Sequence, residues 1–294
     1  MLFHNGWIQK LQERHNLKSR RTHGEAASAC AVDVEKGRAE LQKITREYRN
    51  RDIFNMDESA YFYCTAPSTS VSRSSVAGRK KIEKGLTIAI TANADGSSQV
   101  PLLFVGTTKK PRCFGNHTIA ELGINYTNAA KGWMTTTIFR TWLGYFNDTM
   151  RSQDRHVLLL LDNASPHRVT EHYSHVKLHF LPPNTTAHLQ PQDAGIIKSF
   201  KSQLCKIRDS YVVDKLDAMM EQVDGVGVED IDKRAEQLYN VSILVTMRWA
   251  QQAWNKVTKA TVVNCWIHTE ILAADIYELV SEMNDLSIAP KPAN

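Results

Sequence analysis

The chain has 294 residues, a hydrophobic fraction of 42%, a charged fraction of 23% and a formal net charge of +5. These values are those of an ordinary globular protein with room for one large domain or two small ones, and the mild positive charge permits a polyanionic partner without proving one. The five cysteines include no Cys-x-x-Cys pair and nowhere do 18 apolar residues run together, which argues against a zinc knuckle, a disulfide framework and a membrane span, so we expect a soluble, intracellular protein with no membrane partner.

The first predicted element is a helix over residues 6–17, GWIQKLQERHNL, which is followed at once by a basic stretch. An apolar helix face with a basic end suits docking on DNA phosphates, and Lys18, Arg20 and Arg21 are the candidate contacts. A solvated amphipathic helix with a charged exit explains the same periodicity. Residues 25–50 mix apolar positions with many charges and predict a helical connector.

From residue 51 the pattern changes to strands. Two short candidates, DIFNM and AYFYCT, are followed by the longer stretch GLTIAITANADGSSQVPLLFVGT, in which Asp95-Gly96 separates two apolar runs. Asp-Gly is favoured in tight hairpin turns because these turns require positive φ. We therefore expect a three-stranded meander, and we assign Asp95 to its turn rather than to a functional site.

Two basic clusters lie among these strands, and both have two interpretations. Charge runs are typical of a solvated surface, but beside an acidic site they would neutralise the phosphates of a duplex, with binding that weakens steeply with salt. The first cluster contains Arg79, Lys80 and Lys81 with Arg73 and Lys84 nearby, and the second contains Lys109, Lys110 and Arg112.

Residues 133–150 place apolar side chains on one face of a predicted helix that would cover the sheet. The next element, Val157–Leu161, is a short apolar run closed by Asp162-Asn163. Runs of this length that end in turn residues are typical of buried strands. Asp162 is therefore predicted to lie at the carboxyl end of a strand.

A further strand candidate covers residues 176–181, and Pro182-Pro183 prevents its continuation. Helical spacing begins at Ala194 and predicts a helix that extends through residue 220. Asp193 would then lie at the start of that helix. After a break at residues 224–227, residues 229–283 predict a helical tail whose aromatic side chains are more typical of a core than of a ligand site, and the last residues, 285–294, are expected to be disordered.

The sequence pattern can bring three carboxylates together. If the strand that carries Asp57 pairs beside the strand that carries Asp162, these two side chains converge with Asp193. Three charges about 4 Å apart would repel by roughly 4 kcal/mol per pair, so such a cluster needs protons or a metal. Carboxylate oxygens without nearby Cys or His favour Mg²⁺ or Mn²⁺ over zinc. Three aspartates that act only as polar caps of strand and helix remain the alternative.

The chain resembles the DDE superfamily endonucleases, in particular the pogo, Tigger and jerky-like transposases and their relative centromere protein B. The resemblance covers most of residues 6–270, and the short interval between Asp162 and Asp193 fits the pogo branch, whose third acid is Asp. The matching motifs are GWIQKLQERHNLKSRRTHGE, NMDES, TANADGSSQVPLLFVGTTKKPRCF, WMTTTIFRTWL, LLLLDNASPH, LPPNTTAHLQPQDAGIIKSFK and WNKVTKATVVNCW.

This resemblance implies an α/β fold with a ribonuclease H-like mixed sheet flanked by helices. It implies a remnant of a centromere-protein-B-type helix-turn-helix over residues 1–24, the connector over 25–50, the catalytic domain over 51–222, a helical region over 223–284 and the tail from 285. A lone recognition helix has too small a core to hold its shape, so sequence-specific binding by residues 1–24 is not expected.

The resemblance further implies a DNA transposase that cleaves phosphodiesters and transfers strands with two Mg²⁺ or Mn²⁺ ions. Asp57, Asp162 and Asp193 would be the catalytic and metal-binding residues, supported by Asn163 and His167, although a structural role for this histidine explains its position equally well. The implied partner is double-stranded DNA, the implied compartment is the nucleus, and a homodimer is compatible. A domesticated, non-catalytic DNA-binding protein and an inactive transposase remnant are the alternatives.

Overall fold

The structure, a computed structural model, describes residue 14 and residues 30–64, 84–221 and 238–272. Its centre is a mixed sheet with the strand order β4-β3-β2-β1-β5-β6. The first three strands along the chain are antiparallel neighbours, and β5 and β6 run parallel to β1. This is the ribonuclease H-like arrangement, with β4 added beside β3. The strands are β1 (Ile53–Phe62), β2 (Gly85–Asn93), β3 (Leu103–Gly106), β4 (Asn125–Asn128), β5 (Val157–Leu161) and β6 (Val176–Phe180).

Strand β1 corrects the expectation of two short strands, because DIFNM and AYFYCT form one continuous strand. It pairs with β2 from Phe54 to Phe62, but with β5 only from Ile53 to Asn55. The second half of β1 therefore extends past the end of β5. Polar residues in the middle of β1 are accommodated at this point, because one of its two neighbouring strands has ended.

The hairpin predicted at Asp95-Gly96 is confirmed. Gly96 has a φ of +65°, and the Asp95 Oδ1 accepts a hydrogen bond of 2.9 Å from the Ser97 amide. The turn follows β2 and lies at the end of the sheet opposite to the carboxyl end of β5. Asp95 is thus a turn residue, as expected. The short edge strand β4 was not predicted, because NYTN has too few apolar positions to show a strand pattern.

One face of the sheet is covered by an amphipathic helix, as the sequence predicted. Phe139, Leu143 and Phe146 are buried on this helix against sheet residues such as Phe54 and Leu159. Thr135 caps its first turn, with Oγ1 3.3 Å from the Ile138 amide. The helices in chain order are α1 (Ala31–Thr45), α2 (Thr136–Ser152, the helix just described), α3 (Thr186–Leu189), α4 (Ile197–Glu221), α5 (Ile243–Asn255) and α6 (Lys259–Thr269).

The other face packs against α1, α4, α5 and α6 in one continuous core. Trp254 and Trp266 are buried there, which confirms that the aromatic residues of the tail are core residues. Helix α1 approaches closely at Gly37, where an added Cβ would lie 2.7 Å from Pro182 Cγ. Residues 31–45 and 243–269 therefore build the same core as the sheet.

Several expectations fall on residues outside the described ranges: the helix over 6–17 apart from residue 14, the break at 224–227, the tail from 285, and the candidate DNA contacts Lys18, Arg20, Arg21, Arg79, Lys80 and Lys81. Across the described ranges, no helix has the length and apolar character needed to cross a membrane.

Candidate active site

The parallel pairing of β1 and β5 brings two of the candidate aspartates side by side. Asn55 is paired with Leu160 in this register. Asp57 and Asp162 each follow two positions later in the sequence, so alternation puts both on the same face of the sheet. Asp57 lies in the half of β1 that extends past β5, and Asp162 is the first residue after β5. The sequence analysis required the strands that carry Asp57 and Asp162 to be neighbours, and β1 and β5 are neighbours.

Asp193 lies in a π-helical turn, Gln192–Ile196, that leads directly into α4. Gly195 within this turn has a φ of +155°. An added Cβ at Gly195 would lie 3.0 Å from Cys265 Sγ, so the glycine lets α6 pack against the turn. The start of a helix was predicted here, and the turn presents Asp193 at the protein surface.

Asn55 connects the elements that carry the aspartates, and sequence reasoning missed it. Its Nδ2 donates to the Leu160 carbonyl oxygen at 3.0 Å, and its Oδ1 accepts from the Gln192 amide at 3.0 Å. The Gln192 side chain also donates to the Asn55 carbonyl oxygen, at 3.0 Å. The signal in the sequence was an amide two residues before Asp57, between the apolar residues Phe54 and Met56.

The electrostatics of the site centre on Asp57. Burial raises the pKa of the Asp57 carboxyl well above its usual range, and the charges of Asp193, Glu58 and Asp162 raise it further. A hydrogen bond of 2.7 Å from the Glu58 amide opposes this effect only in part. The carboxyl therefore holds a proton more tightly than an exposed aspartate does, which is the behaviour of an acid in a negatively charged cluster.

Glu58 is a second residue of the site that sequence reasoning missed. Its Oε1 lies 2.9 Å from His167 Nε2, while His167 Nδ1 lies 2.6 Å from Asp162 Oδ1. The imidazole is fully buried between the two carboxylates. Burial alone would lower the pKa of His167, but the hydrogen bonds and charges of Asp162 and Glu58 outweigh it and raise this pKa to about 10. At neutral pH the imidazole is therefore an imidazolium that bridges two acids.

The neighbours of Asp162 keep it ionised. Burial by itself would raise the pKa of Asp162, but hydrogen bonding to His167 and to the Ala164 amide lowers it below its usual range. Asn163 does not contact the acid; its Nδ2 donates to the Leu181 carbonyl oxygen, which ties the loop after β5 to the end of β6. His167 thus orients two acids, and Asn163 holds the loop.

The donor set of the site consists of oxygens, which suits Mg²⁺ or Mn²⁺. The buried Gln192 Oε1, next to Asp193 in sequence, has no hydrogen-bond partner among the described residues. Within the described ranges, however, no group of three or more His, Cys, Asp or Glu side chains is close enough to hold a metal ion.

The second basic cluster lies at the same end of the sheet as Asp162. Lys109, Lys110 and Arg112 follow the carboxyl end of β3, and all three are exposed. Arg112 also lines a cavity of about 730 Å³ together with Lys84, Tyr63 and Tyr126. This cavity lies between the sheet and the segment that precedes α5. This end of the sheet therefore carries the candidate aspartates and, to one side of them, a basic flank formed by Lys109, Lys110 and Arg112.

The sheet is ribonuclease H-like, and its two central strands β1 and β5 carry acidic side chains at or beside the carboxyl end of β5. This combination defines a class of nuclease-like domains. Residues 83–266 match the family model of the DDE superfamily endonucleases, and the chain belongs to this family.

Curated relatives agree with this assignment. CENP-B homolog protein 2 of Schizosaccharomyces pombe (strain 972 / ATCC 24843) is 27% identical over 281 residues, which cover 91% of this chain and 51% of that protein. Tigger transposable element-derived protein 7 of Homo sapiens is 27% identical over 285 residues, which cover 89% and 50%. The chain thus spans about half the length of these relatives. The pre-cleavage Mos1 transpososome is similar with a TM-score of 0.40 and 11% identity, over 90% of this chain and 70% of that chain.

Proposed function

We propose that this chain carries the catalytic domain of a DNA transposase, which cleaves phosphodiester bonds and transfers strands at the ends of a transposable element with the help of divalent metal ions. The observation that supports the proposal best is the parallel pairing of β1 with β5, because Asp57 and Asp162 each follow two positions after the paired residues Asn55 and Leu160. The negative charge of Asp193 acts on the same Asp57 carboxyl, which ties the third acid to this pair.

In this proposal Asp57, Asp162 and Asp193 hold two Mg²⁺ or Mn²⁺ ions. When bound, such ions activate a water or a 3′-hydroxyl for attack and neutralise charge on the phosphate. The chain itself supplies positioning. His167 keeps Asp162 ionised and holds its carboxylate through a contact of 2.6 Å, and Asp57 must release its proton before it can act as a ligand.

The proposed substrate is double-stranded DNA, which fits the net positive charge of the chain. Lys109, Lys110 and Arg112 would bind its phosphates on one side of the candidate aspartates. Further phosphate contacts are proposed for the basic residues outside the described ranges: Lys18, Arg20, Arg21, Arg79, Lys80 and Lys81. A chromosomal substrate places the protein in the nucleus, and the arrangement is compatible with a homodimer that holds two DNA ends.

A domesticated DNA-binding protein without catalytic activity is the second candidate, and an inactive transposase remnant is a variant of it. The observation in its favour is that several of the relatives are named for the centromere, such as CENP-B homolog protein 1 of Schizosaccharomyces pombe (strain 972 / ATCC 24843) and the major centromere autoantigen B of Homo sapiens. In this case the acidic residues would serve only the fold.

A plasmid nicking assay with Mg²⁺ and with Mn²⁺ separates the two candidates. We expect the wild-type chain to nick supercoiled DNA without sequence preference, and we expect Asp57→Asn, Asp162→Asn and Asp193→Asn each to abolish nicking. Asp95→Asn is the matched control, because Asp95 lies in a turn at the opposite end of the sheet. DNA binding without nicking under either metal would favour the non-catalytic candidate, and equal nicking by wild type and the three variants would refute the proposed active site.

A further inference from the structure

We propose that Asn55 is a positioning residue that sets the spacing of the three aspartates, so that they can bind metal together. The inference rests on the proposed function, since it concerns the geometry of the same site. Asn55 itself would bind neither the metal nor the DNA. It acts through the elements on which Asp57, Asp162 and Asp193 lie.

The side chain of Asn55 is fully buried and makes contacts with two other elements. Its Nδ2 donates to the Leu160 carbonyl oxygen of β5, and its Oδ1 accepts from the amide of Gln192 in the π-helical turn, both at 3.0 Å. The main-chain carbonyl of Asn55 accepts a third bond, from Gln192 Nε2, also at 3.0 Å. One residue of β1 thus joins β1 to β5 and to the turn before α4.

Each of these contacts lies next to an aspartate. Asp57 is two residues beyond Asn55 on β1, and Asp162 is two residues beyond Leu160 at the end of β5. Asp193 immediately follows Gln192. Because residues two apart on a strand share a face, a shift of Asn55 against its partners moves the carboxylates relative to one another. Errors of about 1 Å in such a constellation are enough to weaken a metal site.

The chemistry of the two partners explains why an asparagine occupies this position. The Leu160 carbonyl can only accept a hydrogen bond, and the Gln192 backbone amide can only donate one. The side chain between them must therefore offer a donor and an acceptor on a short stem, and the carboxamide of asparagine does so. Aspartate would offer the carbonyl no donor, and leucine would offer a partner to neither group.

The loss of this amide would affect the π-helical turn more than the sheet. β1 and β5 remain joined by their ladder from Ile53 to Asn55, and β1 keeps its long pairing with β2. The turn, in contrast, loses the acceptor for its first amide, Gln192 N–H, which is buried. The turn that carries Asp193 would then shift while the sheet stays folded.

The test is the affinity of the metal-free chain for Mn²⁺, measured from the electron paramagnetic resonance signal of free Mn²⁺ without any DNA. We expect Asn55→Ala to weaken Mn²⁺ binding about 10- to 100-fold, as is typical when a residue that orients metal ligands is removed. Asn93→Ala is the matched control. Asn93 is also fully buried and also bridges backbone groups, with bonds of 2.9 Å to the Arg51 carbonyl and 2.8 Å from the Ser98 amide, but at the far end of the sheet.

Asn93→Ala should lower the thermal stability and leave the Mn²⁺ affinity within about twofold of wild type. Gln192→Met serves as a second variant that keeps the Asn55 amide contacts and removes only the bond from Gln192 Nε2; we expect its Mn²⁺ affinity to fall by a smaller factor. Wild-type affinity in Asn55→Ala would overturn this inference alone. Should Asn55→Ala not fold, the same affinity in Asn55→Ser, whose side chain is too short to bridge both partners, would overturn it. An equal loss in Asn93→Ala would also overturn it. If wild type does not bind Mn²⁺ saturably, the proposed metal site and this inference fall together.

Discussion

His167 Nδ1 lies 2.6 Å from Asp162 Oδ1, which connects the loop after β5 to the carboxylate at the end of that strand. The other ring nitrogen lies 2.9 Å from Glu58 Oε1 on β1. A buried imidazolium between two carboxylates offsets part of their mutual repulsion. The contact therefore stabilises the folded state, in which the acidic side chains of Asp162 and Glu58 lie close together.

This contact predicts a pH dependence of stability in the metal-free protein. The pKa of His167 is raised from an ordinary value of 6.5 to about 10 in the folded state. A raised pKa means that the folded state binds the proton more tightly, so the stabilisation is complete below pH 6.5 and is lost as the pH rises toward 10. We expect the urea midpoint of wild type to fall between about pH 7 and about pH 10.

The variant His167→Gln removes the titrating group. Its urea midpoint should be lower than that of wild type at about pH 7 and should change less toward about pH 10. His156→Gln is the control, because His156 stacks on His175 away from Asp162 and Glu58, and it should keep the slope of wild type. Identical slopes in wild type and His167→Gln would contradict the buried imidazolium.

Asp57→Asn should stabilise the metal-free protein at neutral pH. Burial and the charges of Asp193, Glu58 and Asp162 raise the pKa of Asp57, so the ionised carboxylate is unfavourable in the folded state. Each 1 kcal/mol gained corresponds to about 2–4 °C in Tm for a domain of this size, and we expect a rise of a few degrees in EDTA by calorimetry. The same variant should lose the stabilisation by Mn²⁺ that we expect of wild type. A lower Tm in EDTA would show that Asp57 serves the fold.

The packing of α1 against the segment before Asp193 predicts opposite effects for two glycine substitutions. Gly37→Ala should destabilise the protein by about 1–3 kcal/mol, because the new Cβ would lie 2.7 Å from Pro182 Cγ and 3.0 Å from Leu189 Cδ1. Gly144→Ala, in α2, meets no atom within 4 Å and should stabilise it by up to about 1 kcal/mol. Urea unfolding measures both. Equal effects of the two substitutions would contradict the close approach of α1.

The basic flank predicts how DNA binding responds to salt. If Lys109, Lys110 and Arg112 contact phosphates, each substitution by Ala should weaken binding to any duplex and reduce the slope of log K against log salt by about 1. Lys177→Ala is the control, since Lys177 is exposed on β6 near the opposite end of the sheet, beside Glu47. Fluorescence anisotropy over a salt series gives the slopes. An unchanged slope in all three variants would assign these residues to the solvated surface.

The sequence was sufficient where a local pattern determines the structure. The run Val157–Leu161 is apolar throughout because β5 is buried on both faces, so its end at Asp162 could be read directly. The start of α4 followed from Pro182-Pro183 and the helical spacing after Asp193. The hairpin at Asp95 followed from the preference of Gly for positive φ.

The contacts that organise the site could not be predicted in the same way, because they join residues far apart in sequence. Glu58 and His167 are 109 residues apart, and Asn55 and Gln192 are 137 apart. Alternation puts Glu58 on the face opposite to Asp57, so a search along one face passes over it. β1 was divided into two strands because Asp57 and Glu58 interrupt its apolar pattern, and only the early end of β5 explains why polar residues are tolerated there.

The most direct test of the account is a crystal structure of the protein grown with Mn²⁺ and measured at a wavelength where manganese scatters anomalously. We predict an anomalous peak within about 2.2 Å of carboxylate oxygens of both Asp57 and Asp162, with Asp193 turned toward the same position. The peak should disappear in crystals of Asp162→Asn, while His167 stays buried beside Glu58. Crystals of wild type in saturating Mn²⁺ without a peak at this edge, or with peaks only at other surface acids, would contradict a metal site formed by these aspartates.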